Sequence, residues 1–247
     1  MNTTNKIKVL NLLSFIKTKL YFLRPIIRPI YVKFFAKKQK YLRNKIFLDN
    51  AIDVLERFNM AMKEGGIQYT LAFGTLLGAI REKGFIKHDF DIDVAVWSAD
   101  YSPLLQRVLF KYGFKMSRRY TVENGNLARE ETYSLNGVSI DIFFFYPAID
   151  QYPYCCDFLN HYGAESFIDS TRQYSKHMVA RRIQLPLSHD ITYVHFDRLV
   201  LPIPTNSAEI LSFRYGPDYM TPNPNWSMTQ SYNKYITLWE GMKVDVE

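Results

Sequence analysis

The chemistry available to this sequence rests on four carboxylates. Asp89, Asp91 and Asp93 occupy alternate positions in HDFDIDVAVW, just ahead of an apolar run. Strand side chains alternate faces, so Asp91 and Asp93 point the same way, and Asp89 joins them if the extended backbone begins there. Three like charges on one face repel, and some would stay protonated unless compensated. A divalent cation removes that conflict. Hard oxygen ligands at this spacing suit Mg²⁺ or Mn²⁺, which bind one or two carboxylates together with substrate phosphates. VSIDIFFFY adds Asp141, a single charge within an apolar run. A lone buried carboxylate is costly, and a shared metal site offsets that cost.

The groups around these acids suit a phosphate. Gly74-Thr75 ends one expected strand and opens a helix, where backbone N–H groups and a hydroxyl can hold an anion. Arg81, Lys83 and Lys87 lie close in sequence and can neutralise phosphate charge. Asp89 is the first candidate for a general base and His88 the second. Arg172, Lys176, Arg181 and Arg182 form a further basic cluster, either a solvated face or a contact for nucleotide or acceptor phosphate. Each element alone is weak, since D-x-D and Gly-Thr recur on ordinary surfaces. Their order gives the reading its weight: strand, Gly-Thr, helix, Asp-x-Asp strand, Asp strand. His161, His177, His189 and His195 show no ligand spacing.

The supporting elements follow from periodicity. Residues 47–64 place Phe47, Ala51, Val54, Leu55, Phe58 and Met62 at helical spacing, and Gly65-Gly66 stops that helix. IQYTLAF predicts a strand, GTLLGAIREKG a turn and short helix, and DIDVAVW a strand. Ser102-Pro103 predicts an N-cap and first turn for a helix over 103–112. GFKMSRRY, LAREETYSL and VSIDIFFFY predict strands. Beyond 150 the pattern predicts aromatic loops, a helix near 173–182 and a short helix at EILSFRYG. The expected fold is α/β (α+β), a mixed sheet flanked by helices.

Of 247 residues, 47% are apolar and 22% charged, enough for one large domain or two small ones. Residues 1–48 carry twelve Lys/Arg and no Asp or Glu, so one arm holds the whole excess behind the net charge of +7. The rest is net acidic and lacks any nucleic-acid motif, which excludes nucleic acid as the expected partner. We divide the chain into a basic amphipathic arm, 1–46, broken by Pro25 and Pro29, and a catalytic domain, 47–247. The arm interleaves Lys and Arg with large apolar residues and has no stretch of about 18 apolar residues. It suits an anionic membrane surface, with a packed helix pair as the alternative. Adjacent Cys155 and Cys156 offer neither a disulfide framework nor zinc spacing, so a reduced, cytoplasmic location on the inner membrane face is expected.

The longer string YTLAFGTLLGAIREKGFIKHDFDIDVAV resembles the LicD family. So do GVSIDIFFFY and LVLPIPTNSAEILSFRYGPDYMTPNP. That family includes bacterial phosphocholine transferases and fukutin-related sugar-phosphate transferases, and the resemblance covers roughly Leu48 to Trp226. It implies a nucleotidyltransferase-like fold. It also implies transfer of a phospho-alcohol from a CDP-activated donor to a glycan or lipid-linked glycan hydroxyl, releasing CMP. Asp91, Asp93 and Asp141 match the family's metal-holding positions, Gly74 and Thr75 its phosphate-binding turn, and Arg81 a basic position. Tyr215 and Tyr219 fall in a C-terminal signature expected to form a wall or lid. Where the family has Pro-Trp, this chain has Lys87-His88, which removes an aromatic wall and adds a titratable group. Two other classes fit the residues: a nucleotidyltransferase releasing pyrophosphate, and a non-catalytic membrane-associated scaffold.

Overall fold

The computed structural model describes residues 24–160, 178–223, 236–239 and 244–246. The chain divides into two compact units, Met1–Lys45 and Ile46–Glu247. In the first, the described side chains include exposed Lys38, Lys40, Arg43 and Lys45 beside exposed Tyr41 and Leu42. No helix among the described residues is long and apolar enough to cross a membrane.

Helix α1 runs Arg24–Gly65. The helix expected from Phe47 is its last part, and Pro25 and Pro29 do not divide it. Pro25 lies in the first turn, where a missing N–H costs no helical bond, and Pro29 falls only one turn further on. Within the second unit α1 buries Phe47, Ala51, Val54, Leu55, Phe58, Ala61 and Met62. Phe58 meets Tyr69 and Phe114 edge-on at centroid distances of 5.1 and 6.2 Å. A side chain of this size contributes roughly 1.5–3 kcal/mol when fully buried. The helix stops where Gly66 takes a φ of +63°.

Among the described residues the main sheet has six strands, in the order β1-β2-β5-β4-β3-β11. These are β1 (Thr70–Leu71), β2 (Asp91–Trp97), β3 (Lys115–Val122), β4 (Ala128–Leu135), β5 (Val138–Phe145) and β11 (Val244–Val246). Among these strands only β2 and β5 pair in parallel. Such a pair needs a long crossover, supplied here by helix α3 (Pro103–Lys111) with β3 and β4. Ser102 caps α3 as expected, accepting the N–H of Leu104 at 3.2 Å.

Several expectations are corrected. The strand expected over 67–73 is only Thr70–Leu71. Phe73 adopts a φ of +41° and starts α2 (Phe73–Arg81) directly, so Gly74-Thr75 lies inside the first helical turn. The stretch after 150 is β6 (Tyr154–Asn160), not a loop. The expected 173–182 helix meets β7 (Met178–Gln184), and residues 173–177 lie outside the described part. Antiparallel pairing of β7 with β6 over seven positions, and with β10 (Ile236–Trp239), outweighs the helix propensity of Met, Ala and Arg. Strands β8 (Ile191–Phe196) and β9 (Leu199–Pro204) form an unforeseen hairpin before helix α4 (Ser207–Tyr215).

Behind the site, α2 leans on the loop that leads to the aspartates. Gly78 O accepts the N–H groups of Glu82 and Gly84. A Cβ on Gly78 would lie 2.5 Å from Gly84 O, a backbone atom that cannot swing away. Gly78→Ala should therefore lower stability by about 1–3 kcal/mol, read as a drop in urea midpoint at unchanged slope.

Candidate active site

The β2–β5 register sets Asp93 directly opposite Asp141. Asp91, opposite Ser139, stands exposed at the strand mouth on the same face. Helix α2 points its first turn at this pair. Its N-cap, Ala72, has no side chain able to cap the helix, and Gly74 N–H instead donates to Asp93 Oδ2 at 3.3 Å. A carboxylate from the neighbouring strand thus meets the positive end of the helix. Thr75 is buried, and its hydroxyl accepts the backbone N–H of Asp93 at 2.9 Å, while Ala72 N–H donates to Asp93 O. Thr75 therefore braces the aspartate strand.

Asp89 closes over the same turn. A Cβ on Gly74 would lie 3.6 Å from Asp93 Oδ2 and 3.9 Å from both Asp89 carboxylate oxygens. Glycine here leaves a cradle ringed by carboxylate oxygens.

The electrostatics match that crowding. Burial pushes Asp93 well above the usual carboxylate range, and Asp91, Asp141 and Asp89 push it further. Asp141 is also raised by burial, against the Thr132 hydrogen bond and Arg118. Asp89 is pushed up to about 6, mainly by burial and also by Asp91, while His88 and Arg81 oppose the shift.

The other expected residues fall into two groups. Arg81 is near enough to Asp89 to stabilise its charge, and it also donates to Glu82 and to the Tyr219 carbonyl. His88 likewise acts on Asp89. Tyr215 is partly buried and feels the charges of Asp93 and Asp89, so the end of α4 reaches the cluster. Lys83 and Lys87 are exposed on the connection between α2 and β2. Arg182 lies on β7 and not on a helix, and it donates to Asp150 at 3.2 Å. Arg172 and Lys176 lie outside the described residues, as do His161 and His177. His189 stacks on Trp97 at 3.6 Å.

Sequence reasoning missed six residues near the cluster. Thr132 donates to Asp141 Oδ1 at 2.5 Å, and Arg118 stands 3.8 Å from the same oxygen and 3.7 Å from Glu130. Phe73 packs edge-on against Phe143 and lies beneath the Arg214 guanidinium at 5.3 Å. No local signal marks Glu130 and Thr132, because Arg129 and Glu131 on the opposite face of the same strand are charged as well.

The family model of the LicD/FKTN/FKRP nucleotidyltransferase domain matches residues 66–206, more than half of the chain and all four carboxylates. The chain belongs to the LicD family. Mouse ribitol-5-phosphate transferase FKTN is 22% identical over 186 residues, 75% of this chain and 36% of that protein. The lipopolysaccharide cholinephosphotransferase LicD of Haemophilus influenzae is 44% identical over 50 residues, 20% of this chain and 19% of that protein. The chain thus spans about a third of the first relative and a fifth of the second. The LicD match opens where α1 ends and closes just before α4, so Tyr215 and Tyr219 lie beyond it.

A carboxyl raised in the folded state binds more protons there than in the unfolded chain, so stability falls as pH rises above the unfolded value near 3.9. Asp93→Asn removes that loss while its amide oxygen can still accept from Gly74. With chelator present, the variant should melt close to wild type at pH 4. At pH 7.5 it should melt about 2–4 °C higher, the shift that ~1 kcal/mol brings in a domain of this size.

Proposed function

We propose that the chain transfers a phospho-alcohol from a CDP-activated donor to a hydroxyl of a glycan or lipid-linked glycan, releasing CMP. The observation that carries this reading is the Asp93–Asp141 pair across parallel strands, set against the α2 first turn in a LicD-family chain. The relatives are named for ribitol-5-phosphate and choline phosphate transfer, which supports the class of group moved.

The donor set fits a hard divalent ion. Desolvated, mutually repelling carboxylates and the cradle at Gly74 call for positive charge. Among the described residues no three or more His, Cys, Asp or Glu side chains are arranged to hold a metal by themselves. Mg²⁺ does not require such a cage, since it usually takes one or two carboxylates and completes its shell with water and phosphate. Asp93 and Asp141, with Asp91 at the mouth, would hold Mg²⁺ or Mn²⁺. The ion supplies charge neutralisation on the diphosphate and the departing CMP.

The protein's own groups do the rest. The α2 first turn at Gly74, with Arg81, Lys83 and Lys87, attracts and orients the diphosphate. Asp89, with a pKa of about 6, is mostly ionised at neutral pH and accepts the proton of the acceptor hydroxyl; His88 is the second candidate. That oxygen attacks the distal phosphorus in line, and the bond from phosphorus to the CMP oxygen breaks. Tyr215 and Tyr219 wall the site beside Arg81. The basic arm holds the enzyme on the anionic inner face of the membrane, where a lipid-linked acceptor is concentrated.

CMP release from a panel of CDP-alcohols with Mg²⁺ or Mn²⁺ tests the chemistry. Wild type should turn over at least one donor, and Asp93→Asn should be at least about 100-fold slower, as expected on losing one charge-organising group. Pyrophosphate release from CTP, with no CMP from any CDP-alcohol, would assign the chain to nucleotidyl transfer instead. Removing residues 1–45 should abolish sedimentation with anionic liposomes and leave CMP release with soluble acceptors unchanged.

A further inference from the structure

The strand register draws one line of side chains across four strands. Asp93 on β2 faces Asp141 on β5, Asp141 faces Thr132 on β4, and Thr132 faces Arg118 on β3. The line runs carboxylate, carboxylate, hydroxyl, guanidinium. Its last member owes its place to an irregularity. The β3–β4 pairing shifts between Met116 and Arg118, which leaves Ser117 as an extra residue. In regular pairing Ser117 would oppose Thr132. A bulge of this kind re-aims the side chain that follows it.

The hydrogen bonds along the line have a fixed direction. Arg118 Nη2 donates to Thr132 Oγ1 at 3.0 Å, and Thr132 Oγ1 donates to Asp141 Oδ1 at 2.5 Å. A guanidinium has donors only, and a hydroxyl has one proton. With Arg118 on one lone pair, Thr132 turns its proton to the ionised Asp141, and the bond is strengthened by the charge behind it. Asp141 Oδ1 is therefore held as an acceptor in one orientation.

We propose that Arg118 and Thr132 are positioning residues for Asp141: the bulge delivers the guanidinium, the guanidinium orients the threonine hydroxyl, and the hydroxyl fixes the carboxylate with Oδ2 left as the cation ligand. This rests on the metal-dependent reading above. Carboxylate ligands are commonly oriented by a hydrogen bond of this sort, and losing such a bond weakens metal affinity by roughly 10–100-fold.

The test is Mn²⁺ affinity, read from the EPR signal of free Mn²⁺ on the full chain, with the chelator-treated melting temperature measured alongside. Thr132→Val should raise the Mn²⁺ Kd by roughly 10–100-fold, and Thr132→Ser, which keeps the hydroxyl, should restore it. Arg118→Met should weaken binding while Thr132 remains, and adding it to Thr132→Val should cost clearly less than the sum of the two single losses, because Arg118 acts chiefly through the hydroxyl it touches at 3.0 Å and only secondarily across its 3.8 Å approach to Asp141. If Thr132→Val does not fold, Arg118→Met on the more exposed member carries the same test. Wild-type binding with unchanged affinity in these variants, or additive losses in the double variant, overturns the inference and leaves the metal reading standing. Absence of Mn²⁺ binding by wild type overturns both.

Discussion

The structure is organised around mutual repulsion among acidic side chains that the fold forces together. Two parallel strands set Asp93 and Asp141 side by side, Asp91 stands at their mouth, and Asp89 closes over the same turn. Burial removes much of the water that would screen Asp93 and Asp141. The protein offsets part of this with its own partial charges. The first turn of α2 gives Gly74 N–H to Asp93, Thr132 gives a proton to Asp141, and Arg118 and Arg81 stand nearby. The offset is incomplete, since the carboxyls remain raised. That imbalance is what the cation and polyanionic substrate proposed above would relieve.

The same constraint explains features that look incidental in isolation. Helix α2 has no side-chain cap of its own because a strand aspartate fills that role. Phe73 accepts a positive φ, unusual for a bulky residue, so that the chain can turn from β1 into a helix aimed at Asp93. Thr75 is spent on the β2 backbone, which keeps the aspartate strand in register with the helix. Position 74 must lack a side chain if the carboxylates are to share the space in front of it.

How much of this could be read from the sequence depended on whether the signal was local. Alternation alone placed Asp91 and Asp93 on one face, and Asp141 stood out as a charge in an apolar strand. The last part of α1, helices α3 and α4, and strands β2 to β5 followed from spacing and end signals within a few residues, whereas the continuation of α1 back to Arg24 through Pro25 and Pro29 did not. Arg118 and Thr132 could not be found that way. Their place comes from register across separate strands and from one extra residue, Ser117, which no periodicity announces. Strand β7 was misread because Met178, Ala180, Arg181 and Arg182 favour a helix locally, and only its partners β6 and β10 make it extended. Edge strand β1 was overextended because residues 67–72 look extended until Phe73 turns the chain.

The parallel pairing of β2 with β5 also bears on kinetics. Strands β3, β4 and β5 are neighbours in the chain and join by short connections, so they can assemble early. The pairing of Asp93 with Asp141 must wait for a much longer segment to close. Until then the two carboxylates stay apart in water and do not feel each other. Their repulsion is largely absent while the sheet is being built and is met only as it is completed. Its cost falls on how long the native state lasts, not on how fast it is reached, and on the reading proposed above a bound cation would act mainly by delaying the separation of the two strands.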